Sequence, residues 1–282
     1  MEIVYDKVTH IYNSATYSKL KVLDDISLNI EENKITGIIG RQGSGKTTLV
    51  EMLSALVVPT KGSVKVDEYL IKKNKSIKKI NELRKKVGIV FQFPEDAFFN
   101  LTVEKEIEFG IKNLNYKTDD INKRISDSLK LVGLDDKYKD RNPKTLSNGE
   151  KRKLALACVL AYNPSIIVFD EPTIGLDNIA RNSLIKLIIN LKKKYNKTII
   201  IITHDVDLLL KIGDNVIVLD EGKIVCMGSK YDVFTNNDLN KYDIGIPKII
   251  EFEKKVLDKK GIKLGYRDNI DDLLKDIYRN VR

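Results

Sequence analysis

Tryptophan is absent, and cysteine occurs only as Cys158 and Cys226. Two thiols cannot build the disulfide framework of a small secreted fold, so a reducing, cytoplasmic compartment is expected. No apolar run reaches the roughly 18 residues that indicate a membrane-spanning helix. The longest, Leu154–Tyr162, stops at Asn163-Pro164. The opening MEIVYDKVTH has no basic stretch followed by an apolar one, and does not read as a signal peptide. Aromatic residues make up only 7%, so a base-stacking surface is not advertised. No repeat with a period of about 20–50 residues is visible, which argues against a solenoid or a propeller.

What is present is an ordinary globular balance: 282 residues, 42% hydrophobic and 32% charged. That length can bury a full core and fits two domains, or one large domain with an appendage. The net charge is +9. Positive charge can answer nucleic acid, an anionic membrane or an acidic partner. Yet 40 of the 49 basic residues are Lys, and Lys, Asn and Ile are abundant together, as codon bias in an AT-rich genome would produce. The densest basic run, Lys72–Lys86, reads as well as a solvated helix face. Charge alone is therefore a weak guide to partners.

The first 90 residues read as strands and turns. Leu28-Asn29-Ile30 alternates, and Ile35–Ile39 is a short apolar run ending at a glycine loop. A helix should follow from Lys46 to about Val57, stopped by Pro59. Val87–Phe91 reads as another buried strand. From about Phe93 to Tyr162 the chain is mostly helical, with 3.6-residue periodicity in Val103–Ile111 and Ile121–Val132. Buried strands return at Ile166–Phe169, Thr198–Ile202 and Val216–Leu219, with helices between them. That alternation implies an α/β fold with a parallel sheet covered on both faces. Residues 1–234 are expected to form the main domain, with a helical subdomain at about 93–162. Residues 235–282 read as a small helical accessory segment.

The strongest local signal is Gly40-Arg41-Gln42-Gly43-Ser44-Gly45-Lys46-Thr47, followed by Thr48. It fits G-x-x-x-x-G-K-[ST] between a buried strand and a helix. In such a loop, backbone N–H groups turn inward around phosphate oxygens, and the helix dipole adds to the attraction. Lys46 can reach the β- and γ-phosphates, and the Thr47 hydroxyl can hold Mg²⁺. A glycine turn that binds nothing is the bland reading, and the strand-loop-helix context disfavours it. A second signal is Ile166–Phe169 followed by Asp170-Glu171. The strand delivers two carboxylates at its C-terminal end, where open α/β sheets bind ligands. Asp170 suits Mg²⁺, and Glu171 suits a general base that polarises the attacking water. An acidic pair after a strand is commonly just a turn; beside the glycine loop the chemical reading is favoured.

Further segments match one family. Leu146-Ser147-Asn148-Gly149-Glu150 resembles the LSGGQ signature of ABC-transporter ATPases. Gln92 stands where the Q-loop glutamine does. Ile174-Gly175-Leu176-Asp177 resembles the D-loop, and Thr203-His204-Asp205 the switch-histidine loop. The order and spacing are the family's over about residues 1–230. The resemblance implies a P-loop ABC ATPase with a RecA-like parallel-sheet core, an antiparallel β part and an inserted helical subdomain. Two such domains would clasp two ATP molecules head to tail, each between the phosphate loop of one chain and the signature of the other. Ser147 and Gly149 would then meet the γ-phosphate of the opposite ATP, with Asp177 beside them. Tyr12, or failing that Tyr17, would stack on adenine. Gln92 would sense Mg²⁺, and His204 would contact the γ-phosphate. Asn148 and Glu150 depart from the signature's usual glycine and glutamine, which puts in question the site that this signature completes.

Phe93-Pro94-Glu95-Asp96-Ala97-Phe98-Phe99 resembles the segment after the Q-loop in energy-coupling factor (ECF) transporter ATPases, in the form of the second of their two paralogues. Ala97 stands where a glutamine is usual. Gly245-Ile246-Pro247, Phe252 and Gly261-Ile262 resemble the C-terminal dimerisation segment of the same group. The resemblance implies an ATPase subunit on the cytoplasmic face of the cell membrane, powering uptake of vitamins or other micronutrients. Its partners would be a paralogous ATPase, an integral-membrane coupling subunit and a substrate-binding membrane subunit. Alternatives are the ATPase of another ABC importer, a non-hydrolysing regulatory subunit, or a soluble ABC ATPase acting on nucleic acid or ribosomes. The last kind carries a coiled-coil insertion or two ATPase domains, and neither is seen here. Any binding of DNA or RNA should accordingly be weak, sequence-independent and steeply salt-sensitive. A filter-binding titration at two salt concentrations checks this, and a tight, sequence-selective complex at physiological salt would refute it.

Overall fold

The computed structural model describes residues 2–12, 19–93, 97–118, 120–262, 264–265, 267–268 and 270–280. Two strands, β1 (Ile3–Tyr12) and β2 (Leu20–Ile30), pair antiparallel at the N-terminus. Their burial alternates along much of their length, as expected of strands with one covered face. β3 (Ile35–Ile39) then runs into the glycine loop, and α1 (Lys46–Glu51) leaves it. β4 (Lys61–Val66) and β5 (Tyr69–Ile71) complete an antiparallel sheet of order β2-β1-β4-β5. After α2 (Ile80–Lys86) comes β6 (Val87–Val90), then the helical part: α3 (Val103–Asn113), α4 (Ile121–Leu131) and α5 (Asn148–Leu160). Thr102 and Asp120 cap α3 and α4 by accepting from Lys105 N and Lys123 N.

The chain then alternates through β7 (Ile166–Asp170), α6 (Asn178–Tyr195), β8 (Thr198–Ile202), α7 (Val206–Ile212) and β9 (Asn215–Asp220). β10 (Lys223–Ser229) closes a hairpin on β9. These strands form a six-stranded sheet of order β10-β9-β3-β8-β7-β6, parallel except at β10. The tail adds α8 (Lys230–Asn236), α9 (Lys248–Lys260) and α10 (Ile270–Asn280).

Every residue of β3 and β8 is buried, because both faces of this sheet are covered. Successive side chains divide between two cores. Ile38, Ile200, Ile202, Ile166 and Val168 face α1 and the antiparallel sheet. Ile35, Ile39, Ile199, Ile201, Ile167 and Phe169 face the helical part. The second core also takes in Val233, Phe234, Leu239 and Ile250, so α8 and the start of α9 pack into the main body. α8 runs across the boundary expected at 234/235.

Three elements differ from the sequence reading. β2 is far longer than its Leu28–Ile30 segment. α1 ends at Glu51 rather than near Val57: Met52–Ser54 tightens to a 3₁₀ turn, and Ala55 takes a left-handed conformation at φ 53°. β6 stops at Val90, and Phe91 turns out to solvent at 44% exposure. Ile200→Ala should empty a site in the middle of the sheet and cost about 2–5 kcal/mol. Equilibrium unfolding in urea measures this as a lower midpoint with an unchanged slope.

Candidate nucleotide-binding site

The parallel strands β3, β8 and β7 end side by side. Ile202 of β8 pairs with Ile38 on one side and Asp170 on the other. The chain segments that leave these strands, Gly40–Thr48, Thr203-His204 and Glu171 onward, therefore meet at one edge. They line an open cleft of about 580 Å³, joined by Tyr12 and Gln92. Of the expected site residues, the structure brings together Tyr12, Gln42, Gly43, Gly45, Lys46, Thr47, Thr48, Gln92, Asp170, Glu171 and His204.

The loop's shape is a backbone matter. Gly45 adopts φ 101°, and a Cβ there would lie 2.7 Å from Val22 O. At Gly40 a Cβ would lie 2.0 Å from Leu219 O, so the loop could not leave β3 so close to β9. Lys46 is 8% exposed and donates from Nζ to Gly40 O (2.8 Å) and Arg41 O (2.7 Å). Burial pushes its pKa down, and the carboxylates of Glu171 and Asp170 push it partly back. Thr47 Oγ1 donates to Asp170 Oδ2 at 3.3 Å. Burial raises the Asp170 pKa, against that hydrogen bond and the Lys46 charge.

Glu171 carries strain. It is a non-glycine residue at φ 47°, in the sparsely populated left-handed region. Two contacts hold it there. Its N–H donates to Ile202 O at 2.8 Å, and Thr203 Oγ1 donates to its Oε2 at 3.1 Å. Its Oε1 faces His204 Nε2 at 3.5 Å. The carboxylate is 6% exposed, and burial raises its pKa, against the nearby imidazole. His204 itself is half exposed and lines the cleft.

Tyr12 is 41% exposed; its ring stands edge-on to His10, centroids 4.5 Å apart, and its hydroxyl lies 3.3 Å from Thr48 Oγ1. Tyr17 lies outside the described residues, as do Pro94, Glu95 and Asp96. Arg41 turns its side chain away from the cleft. Its Nη2 donates to Lys241 O at 2.6 Å, and its Nε lies 3.0 Å from Asp243 Oδ2. The loop's residue 41 thus offers a ligand only its backbone.

Ser147, Gly149 and Asp177 do not line this cleft. Ser147 caps α5 in a reciprocal capping box. Its hydroxyl donates to Glu150 Oε2 (2.7 Å), and Tyr138 donates to Oε1 (2.6 Å). Those bonds hold the Glu150 pKa down at about 2, so the carboxylate stays ionised at any physiological pH. Asp177 caps α6, accepting from Ala180 N at 2.8 Å. Gly149 has open space around it, with no atom within 4 Å of an added Cβ. Thr203, which fixes Glu171, was legible in the sequence only as part of the Thr-His pair.

The cleft suits a polyphosphate with a divalent cation. Ser44 Oγ is buried without a partner, the first-turn N–H groups of α1 open beside it, and Lys46 supplies positive charge. Thr47 and Asp170 offer the hard oxygen donors that Mg²⁺ prefers.

This fold and this cleft define a P-loop ATPase of the two-sheet kind. The profile of the ABC transporter family matches residues 23–174. Among curated relatives, the energy-coupling factor transporter ATP-binding protein EcfA2 of Mycoplasma capricolum is 41% identical over 265 residues, covering 93% of this chain and 91% of that protein. The protein of the same name from Enterococcus faecalis is 41% identical, covering 92% and 90%. Two solved structures share the fold. CbiO1 of Clostridium perfringens, part of the ABC transporter complex cbiONQ, has a TM-score of 0.71 at 32% identity, covering 92% of this chain and 95% of that one. A dimeric ATP-binding cassette in a post-hydrolysis state with ADP and Pi has a TM-score of 0.71 at 28% identity, covering 81% and 98%. The chain belongs to the ABC transporter ATPases, in their energy-coupling factor branch.

The raised pKa of Glu171 yields a stability prediction. Between its ordinary value and its raised value, the folded chain holds a proton that the unfolded chain has released, so stability falls as pH rises through that window. Glu171→Gln removes this loss. Without nucleotide, the variant should melt a few degrees above the unmodified chain at pH 7, and the gap should close on approaching pH 4. Scanning calorimetry at a series of pH values checks it.

Proposed function

We propose that this chain is an ATP-hydrolysing subunit of an ECF-type importer, working at the cytoplasmic face of the cell membrane. The observation that carries the reading is the convergence of Lys46, Thr47, Asp170, Glu171, Gln92 and His204 on one cleft. It is supported by relatives 41% identical across nine-tenths of the chain. Adenine would lie against Tyr12, with the triphosphate wrapped by Gly40–Thr48. Lys46 would exchange its two carbonyl partners for β- and γ-phosphate oxygens. Thr47 and Asp170, with Gln92, would hold Mg²⁺, which supplies charge that offsets the phosphates. Glu171, fixed by Thr203, would take a proton from the attacking water, and His204 would contact the γ-phosphate.

Ser147, Gly149 and Asp177 stand away from their own cleft, which fits a site completed across two chains. The partner ATPase would be a paralogue in the transporter, or a second copy when the chain is alone. Phe93, which follows Gln92, and Phe99, 54% and 60% exposed, would receive the coupling helices of a transmembrane subunit. Phe98 packs inward on the main core. A separate membrane subunit would bind the vitamin or other micronutrient. No helix among the described residues is long and apolar enough to cross a membrane, which fits a peripheral subunit.

In the transporter purified from membranes, Lys46→Ala should abolish ATP turnover. Glu171→Gln should keep ATP bound and slow turnover by ~10²-fold or more. The acid limb of the pH–rate profile should lie above the usual carboxylate range, because burial raises Glu171, and should vanish in Glu171→Gln. Near-unmodified turnover in that variant would remove Glu171 as the base. The isolated chain, confirmed monomeric by light scattering, should turn over far more slowly than the complex; equal rates would refute a composite site.

A further inference from the structure

Gln92 and Glu171 sit in loops that follow different strands, β6 and β7. Arg152, in the second turn of α5, reaches both. Its Nη2 donates to Gln92 O at 3.1 Å, and its Nη1 donates to Pro172 O at 3.4 Å and to Ile174 O. All three acceptors are main-chain carbonyls. Pro172 follows Glu171 directly, and Gln92 and Ile174 line the cleft. A guanidinium presents five N–H donors in a rigid planar fork, so one side chain can span acceptors in two loops. An ammonium on a flexible stem is a point donor and cannot hold that spread. The same helix begins at the Ser147 cap, five residues before Arg152. A rigid helix therefore fixes the distance from the signature to this fork.

We propose that Arg152 is a positioning residue for hydrolysis, setting the Gln92 loop and the segment after Glu171 in register with α5. It touches no expected ligand atom. Its effect is on where Glu171 is held: the left-handed turn at Glu171 is braced before the residue by the β8 pairing and after it by the Arg152 fork. A shift of α5 moves the fork, and the fork moves both loops. This rests on the hydrolytic reading of the cleft, and not on which partner completes it.

The test compares Arg152→Ala and Arg152→Lys in the full chain, with turnover followed in the complex purified through it. Arg152→Ala should lower kcat by about 10- to 100-fold, the scale of an ångström-level misplacement of reacting groups. KM for ATP, and the Kd of a non-hydrolysable ATP analogue for the isolated chain, should stay within about twofold, because Arg152 lies outside the phosphate loop. Arg152→Lys should recover only part of the rate. Hydrogen exchange should quicken at residues 171–176 and stay unchanged at residues 40–47. A folded Arg152→Ala variant with kcat within twofold of the unmodified chain would overturn the proposal. So would parallel losses in kcat and nucleotide affinity, or full recovery with lysine, which would reduce the role to charge. If the alanine variant fails to fold, the lysine variant decides by the same measures. Absence of turnover in the unmodified complex would count against the hydrolytic reading instead.

Discussion

The placement of β8 between β3 and β7 is the constraint on which the cleft depends. Ile202 is the shared partner of Ile38 and Asp170, so the three strands end level. A slip of one residue would turn every side chain of β8 to the opposite face. Its run of isoleucines fills the cores on both sides, so such a slip would exchange the two sets of packing partners. The packing thereby fixes where Thr203 and His204 stand, and through Thr203 it fixes Glu171. A largely apolar sheet interior thus aligns the polar groups at its edge to within hydrogen-bonding distance.

The electrostatics at that edge are poised for a ligand. Burial raises Asp170 and Glu171 and lowers Lys46, so all three groups pull toward their neutral forms. In the proposed reading, a cation-bearing polyphosphate would change the balance by giving Lys46 an anion and the carboxylates a cation. Such an arrangement, costly in the free chain and relieved when the ligand binds, would be an exchange of stability for activity. Two arginines brace the rims without entering. Arg41 ties the phosphate loop to Lys241 and Asp243 of the tail, and Arg152 ties α5 to the loops beyond β6 and β7. Each makes a local loop depend on a distant element.

Much of this was legible from residues because the signals were short and stiff. The Gly40–Thr47 loop, the Ile166–Asp170 strand and the Thr203-His204 pair each carry their meaning in adjacent positions, and the parallel sheet followed from apolar runs spaced by helices. What failed to show depends on distance in the chain. Nothing near Arg41 announces Asp243, and nothing near Arg152 announces Pro172. The early end of α1 at Glu51 did not show either, since the local sequence favoured more helix before Pro59. Glu150 read as a departure from the signature's usual glutamine. The structure gives it a second identity, as the other half of the Ser147 capping box and the acceptor for Tyr138.

The central place of β3 has a consequence for how the protein is made. β3 emerges early, yet Ile39 pairs with Val218, about 180 residues later. At ribosomal speeds that interval is roughly 10–40 s. For most of it, an apolar strand waits without either of its two neighbours, β8 and β9, and the phosphate loop waits for the tail that anchors Arg41. Pairings this distant are slow to close and expose sticky edges meanwhile. The nucleotide cleft, which joins Gly40–Thr48 to His204, is therefore complete only once about two hundred residues have been made.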